Sequence, residues 1–66
     1  MIKVQCIELR PANTPQTEKI GDILYLDSES IFDECGEWYG EMYKKNSEEI
    51  LVRHGVYKLN RFHRIK

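Results

Sequence analysis

The stretch Glu37-Trp38-Tyr39-Gly40-Glu41-Met42-Tyr43 allows two interpretations, and the predicted fold class depends on the choice between them. As a strand, it places Trp38, Gly40 and Met42 on one face and the residues between them on the other. As part of a helix over residues 29–44, it would belong to a stripe of apolar side chains at helical spacing, namely Ile31, Cys35, Trp38 and Met42.

Two features of residues 28–45 favour the strand. Gly36 and Gly40 would each cost about 1 kcal/mol relative to alanine inside a helix, and aromatic side chains are enriched in strands. We therefore predict a turn over residues 33–36, followed by a strand over residues 37–43. An α+β fold with a helix over residues 29–44 is the alternative.

The segments before this strand also follow a β pattern. Residues 2–9 begin with strict alternation, in which Ile2, Val4 and Cys6 share one face. Residues 10–19 contain both prolines and are predicted to form a long loop. A Gly-Asp turn signal at residues 21–22 then opens a second strand over residues 23–26.

The C-terminal third is predicted to form two further strands. One covers residues 49–53, is interrupted at His54-Gly55 and resumes at residues 56–57. A short turn over residues 58–60 leads into a last alternating segment over residues 61–65. The predicted core consists of Ile2 or Val4, with Ile23, Met42, Ile50, Val52 and Val56.

Length and composition predict one small domain. With 66 residues, of which 41% are hydrophobic, the chain has material for one thin core, so we expect a single domain over residues 1–66. Two cysteines are too few for a disulfide-stapled secreted fold, and no signal peptide or membrane span is expected. We therefore expect a cytoplasmic protein with reduced thiols.

Charge is unevenly distributed, although the net charge is only −1. Residues 20–42 contain seven acidic residues and no base, a sum of −7, whereas residues 43–66 contain seven bases and two acids, a sum of +5. The favoured interpretation is that the two segments neutralise each other across a folded sheet. The other is that the basic segment forms a binding face.

The titratable residues show no catalytic or metal-binding pattern. Cys6 and Cys35 have possible bases only in His54 and His63, and the sequence contains no Cys-x-x-Cys pair. The acidic residues of the middle segment lack the calcium-loop pattern. We expect no enzymatic activity, no cofactor and no metal site.

The order of these parts resembles that of SH3-type small barrels. In that family a long loop follows the first strand, a Gly-Asp or Gly-Glu turn opens the second, and a Trp begins the third. A glycine-containing fourth strand then leads through a short 3₁₀ turn into the last strand. The corresponding stretches here are residues 6–9, 19–24, 37–41 and 55–62. The resemblance implies a mostly β, five-stranded, partly open barrel with a 3₁₀ turn near residues 58–60.

The SH3 peptide groove is matched in this sequence only at Trp38 and Asn60. The first-strand tyrosines of the family are absent, and Lys58 and Arg61 stand where the groove has a proline and a tyrosine. The resemblance therefore implies the fold without proline-rich peptide recognition. It points to the broad class of small barrels that includes many bacterial and phage proteins.

Two functional hypotheses follow from the aromatic and basic residues. The first is a non-enzymatic adaptor that binds another, unidentified protein through Trp38, Tyr39 and Tyr57, because Trp and Tyr are favoured interface anchors. The alternative, given less weight, is a nucleic-acid-binding barrel that uses the basic C-terminal residues Arg53, Lys58, Arg61 and Arg64. A monomer or a weak homodimer formed by edge-strand pairing is expected in either case.

Overall fold

The chain forms six strands and two short 3₁₀ turns in a computed structural model that describes residues 1–9 and 18–65. The strands are β1 Ile2–Cys6, β2 Ile23–Leu26, β3 Phe32–Glu34, β4 Glu37–Lys45, β5 Leu51–Lys58 and β6 Phe62–Arg64. The 3₁₀ turns cover Ser28–Ser30 and Leu59–Arg61. The mostly β prediction is confirmed, and the alternative helix over residues 29–44 is wrong because β3 and β4 occupy that range. Most of the predicted long loop, residues 10–17, lies outside the described residues.

The strands pair antiparallel in the order β6–β1–β2–β4–β5, and β3 adds to β4. Tyr39 of β4 lies opposite Phe32 on one edge and Lys58 on the other, and Tyr43 lies opposite Tyr25 of β2. Because β2 and β3 flank the same edge of β4, they act as one strand interrupted by the first 3₁₀ turn. The result is the predicted five-stranded, curled and partly open barrel.

The turn between β3 and β4 is tighter than the predicted turn over residues 33–36. Cys35 and Gly36 both have positive φ angles, 53° and 81°, which is the two-residue hairpin geometry that matches strand twist. Gly36 N–H donates to Asp33 Oδ1 at 3.2 Å. Asp33 and Glu34 therefore belong to a short strand that the sequence pattern did not predict.

The core lies on the inner face of the curled sheet. Its buried side chains are Val4, Cys6, Leu24, Leu26, Met42 and Tyr57. Of the predicted core, Val4 and Met42 are confirmed, with 4% and 0% of their surface exposed. In β2, Leu24 and Leu26 point inward, so Ile23 points to the other face. Ile2 is half-buried and packs against the edge of the core.

Three predicted core residues are exposed instead: Ile50, Val52 and Val56, at 55%, 49% and 41%. Ile50 precedes β5, and Val52 lies opposite Lys44, beyond Met42, the last buried residue of β4. Val56 is misplaced by a bulge: Met42 pairs with Gly55 and Tyr43 with Arg53, which leaves His54 as the extra residue. The bulge brings Tyr57 to the inner face and Val56 to the outer face. What appeared in the sequence as an interruption at His54-Gly55 is this bulge within one continuous strand.

Candidate functional site

The β3–β4 hairpin carries an exposed group of aromatic and acidic side chains. Phe32 pairs with Tyr39, Asp33 with Trp38 and Glu34 with Glu37. The rings of Phe32 and Tyr39 stack with centroids 5.4 Å apart and an interplanar angle of 16°. We call the group the acidic hairpin surface; its members are Phe32, Asp33, Glu34, Glu37, Trp38 and Tyr39.

Trp38 is the most exposed ring of this surface. It alternates onto the same face of β4 as the buried Gly40 and Met42, but its cross-strand neighbour is the exposed Asp33. The core ends at Gly40, so 54% of Trp38 remains accessible. Phe32, on the other face, is 43% exposed. Large apolar rings are thus available on both faces of the hairpin.

The electrostatics of the hairpin are dominated by carboxylates. Glu34 lies directly opposite Glu37, an arrangement in which like charges repel. Lys58 of β5 approaches Glu37, with Nζ 3.8 Å from Oε1. Asp33 accepts a hydrogen bond from the turn, which helps to hold the hairpin. The net charge of the acidic hairpin surface favours cations.

Tyr57 differs from the other two residues predicted to bind a protein. Only 3% of it is exposed, and its ring packs in the core at 5.7 Å from the ring of Phe62. Tyr57 therefore contributes to the interior, while Trp38 and Tyr39 are consecutive residues of the hairpin that point to its two opposite faces. Phe32 was missed by the sequence analysis, since only the β3–β4 pairing brings it against Tyr39.

The four bases predicted to bind nucleic acid do not form one row. Arg53 and Lys58 lie on β5, where Arg53 pairs with Glu41 and Lys58 approaches Glu37. Arg61 is in the second 3₁₀ turn, and Arg64 lies on β6 opposite Val4.

The oppositely charged segments meet across the sheet, in line with the favoured interpretation of the charge pattern. Besides the pairs of Arg53 and Lys58, Lys44 contacts Asp22 at 3.6 Å. Each of these pairs joins an acid from residues 20–42 to a base from residues 43–66.

The two thiols lie in different environments. Burial raises the pKa of the Cys6 thiol, which is 1% exposed and donates to the carbonyl oxygen of Glu8 at 3.4 Å. A raised pKa disfavours the nucleophilic thiolate. Cys35 is exposed in the hairpin turn. Within residues 1–9 and 18–65, no three His, Cys, Asp or Glu side chains are grouped to hold a metal ion.

Comparisons of the chain with protein-family models, with curated proteins and with solved structures gave no match. In the part of the chain that the structure describes, no helix has the length and apolar character needed to cross a membrane.

Proposed function

We propose that this chain is a non-enzymatic, SH3-like small barrel of the cytoplasm that acts as an adaptor by binding another protein through the acidic hairpin surface. The observation that carries the proposal is the exposure of Trp38, 54% accessible on a hairpin whose other face presents Phe32 at 43%. Neither ring is needed to fill the core, which closes at Gly40 and Met42.

Exposed aromatic rings on a rigid hairpin suit protein recognition. Trp and Tyr are enriched among the few interface residues that carry most of the binding energy. The stacking of Phe32 on Tyr39 holds both rings in place before binding, which lowers the entropy lost on association. The two-residue turn restricts the hairpin further.

The charge of the hairpin indicates the chemistry of the partner. Glu34 and Glu37 face each other across the hairpin, and a lysine or arginine of the partner would relieve their repulsion. Complementary charge also speeds encounter and excludes acidic competitors. The proposed partner is therefore a protein segment with basic residues beside an apolar side chain that packs on Trp38.

The strand order supports the SH3-like part of the proposal. The chain runs β1–β2–β4–β5 as neighbouring strands, and the last strand, β6, returns to pair with β1 after a 3₁₀ turn. Trp38 stands at the start of the long β4 strand, the place of the tryptophan in the family pattern. The acidic hairpin lies beside that tryptophan and replaces the aromatic groove as the proposed contact surface.

A displayed library of random peptides, selected on the immobilised protein, tests the proposal. We expect enriched sequences to contain lysine or arginine next to an aromatic or aliphatic residue. Binding of a selected peptide should change the emission of Trp38, which is the only tryptophan in the chain. Trp38→Ala should lower the affinity for that peptide by about tenfold or more, as expected for a central aromatic anchor.

Ile50→Ala is the matched control. Ile50 is 55% exposed in the β4–β5 connection, away from the acidic hairpin surface, and the substitution also removes an exposed apolar side chain. Both variants should keep the far-ultraviolet circular dichroism of the parent. Equal peptide affinity for Trp38→Ala and the parent, or a selection dominated by acidic peptides, would contradict the proposal.

A further inference from the structure

A second aromatic row crosses the outer face of the sheet. Tyr25 of β2 lies opposite Tyr43 of β4, so the two rings occupy adjacent positions on neighbouring strands. Lys3 of β1 lies opposite Tyr25, and Arg53 of β5 lies opposite Tyr43. Four strands therefore present the series Lys–Tyr–Tyr–Arg in register, with a cation at each end of a tyrosine pair.

More positive charge surrounds this row. Lys45 Nζ lies 5.4 Å from the centre of the Tyr25 ring. An open groove of about 290 Å³ runs along the same side of the molecule and is lined by Lys3, Ile23, Tyr25, Lys44 and Lys45. We call Lys3, Tyr25, Tyr43, Lys45 and Arg53 the tyrosine face.

We propose that the tyrosine face binds single-stranded nucleic acid. Sheet surfaces that bind single strands combine rings on which bases stack with cations that contact phosphates, and this face supplies both. The tyrosines are half-buried, so part of each side chain remains exposed, and the Lys45 ammonium lies over the ring of Tyr25. The occupant carries the opposite charge to the exposed Lys3 and Lys45.

The aromatic pair selects a single strand over a duplex. In a duplex the flat faces of the bases are already stacked on one another, so only the phosphates would remain for contact. An acidic protein could meet the lysines but has no reason to require two adjacent rings. The residues involved differ from the predicted basic C-terminal set, of which only Arg53 belongs to the tyrosine face.

The tyrosine face is distinct from the acidic hairpin surface. Along β4, Tyr43 lies four residues beyond Tyr39, which corresponds to about 13 Å of strand. Because the two surfaces carry opposite charges, a nucleic acid would bind the tyrosine face and a basic protein segment would bind the acidic hairpin surface. Loss of one activity therefore leaves the other measurable.

Fluorescence anisotropy with a labelled oligodeoxythymidylate of about 12 nucleotides tests the inference, a length within the range that one small barrel covers. With Lys3 and Lys45 in contact and Arg53 held by Glu41, the logarithm of the association constant should fall with the logarithm of salt concentration with a slope of about −1.4. Affinity should then drop by roughly tenfold between about 50 and about 200 mM salt.

Two kinds of variant separate stacking from charge. Tyr43→Leu keeps an apolar side chain in β4 and should weaken binding by about tenfold without changing the salt slope. Lys45→Gln should reduce the slope by about 0.7. Glu41→Gln releases Arg53 from its ion pair and should tighten binding by about twofold. Lys19→Gln, an exposed position outside the face, is the matched control and should change nothing.

The inference is overturned if the labelled strand shows no binding at low salt. Equal affinity for a blunt duplex of the same length, or an unchanged affinity for the folded Tyr43→Leu variant, would also overturn it, because either result removes the role of stacking. Trp38→Ala should leave oligonucleotide binding unaltered, so failure here and failure of the proposed adaptor function are separate results.

Discussion

At the scale of single residues, Gly40 sets how closely the inner face of β4 can be covered. A Cβ at this position would lie 2.4 Å from Leu26 Cδ1, 3.2 Å from Leu59 Cδ2 and 3.5 Å from Ile31 Cγ1. The absence of a side chain at Gly40 lets these three residues close over the strand. Periodicity placed Gly40 on the correct face, but it could not show that the space above it is occupied.

Gly40→Ala is expected to lower the free energy of unfolding by about 1–3 kcal/mol, because the added methyl group overpacks the core. Urea denaturation followed by circular dichroism measures the loss. Adding Leu26→Val removes the Cδ1 atom that the new methyl would meet. The double variant should therefore lose less stability than the sum of the two single variants, and strict additivity would show that crowding is not the cause.

At the scale of elements, the β4–β5 connection depends on one side chain. Asn46 Oδ1 accepts hydrogen bonds from the backbone N–H groups of Glu48 at 2.8 Å and Ile50 at 3.0 Å. Asn46 N–H also donates to the carbonyl of Ile50 at 3.0 Å. These bonds define a turn in which Glu49 adopts a φ of 61°.

Asn46→Ala removes both side-chain bonds and is expected to cost about 1 kcal/mol of unfolding free energy. Asn46→Asp retains an acceptor oxygen and should stay within about 0.5 kcal/mol of the parent. Thermal and urea unfolding of the parent and of the two variants measure these differences in unfolding free energy. If Ala and Asp destabilise the turn equally, the acceptor role of Asn46 is refuted.

Element identity was predicted well from the sequence, and strand face was predicted only in part. Alternation identified β1, β2 and β4, and the glycines together with the aromatics correctly chose a strand over a helix for residues 37–43. The predicted face of Val56 was wrong because a bulge at His54 shifts the alternation of β5 by one residue after Arg53. The sequence showed the interruption at His54-Gly55, but which residue is the extra one depends on how β4 and β5 pair.

At the scale of the whole molecule, the buried apolar side chains contribute more to the free energy of unfolding than the ion pairs do. The ion pairs of Lys44, Arg53 and Lys58 described above involve side chains that are 26–61% exposed, and such pairs contribute about 0–1 kcal/mol each. Leu24, by contrast, is fully buried. A domain of this size has a total stability of roughly 3–10 kcal/mol, so one core residue is a large fraction of it.

Leu24→Ala is therefore expected to lower the free energy of unfolding by about 2–5 kcal/mol. Raising the salt concentration to about 0.5 M, which screens surface charges, should change the stability of the parent by less than about 1 kcal/mol. Urea titrations at both salt concentrations compare the two effects. A salt effect larger than that of Leu24→Ala would mean that charge pairing, and not the core, holds the barrel.

The candidate surfaces show the same division between local pattern and long-range pairing. Trp38 and Tyr39 were identified from composition, whereas Tyr57, equally aromatic, is a core residue. Phe32 joined the hairpin surface only through its register with Tyr39, and the tyrosine face joins residues from four strands. None of these groupings follows from distance along the chain.

Side-chain alternation, the positions of glycine and proline, and the charge segments were enough to predict a mostly β chain. They also predicted that its acidic segment, residues 20–42, and its basic segment, residues 43–66, neutralise each other. These properties depend on near neighbours along the chain, or on sums over whole segments, so they can be read from the sequence alone. Burial, the bulge and both candidate surfaces came from the pairing of distant strands, because a strand face becomes interior or exterior only when its partners are fixed.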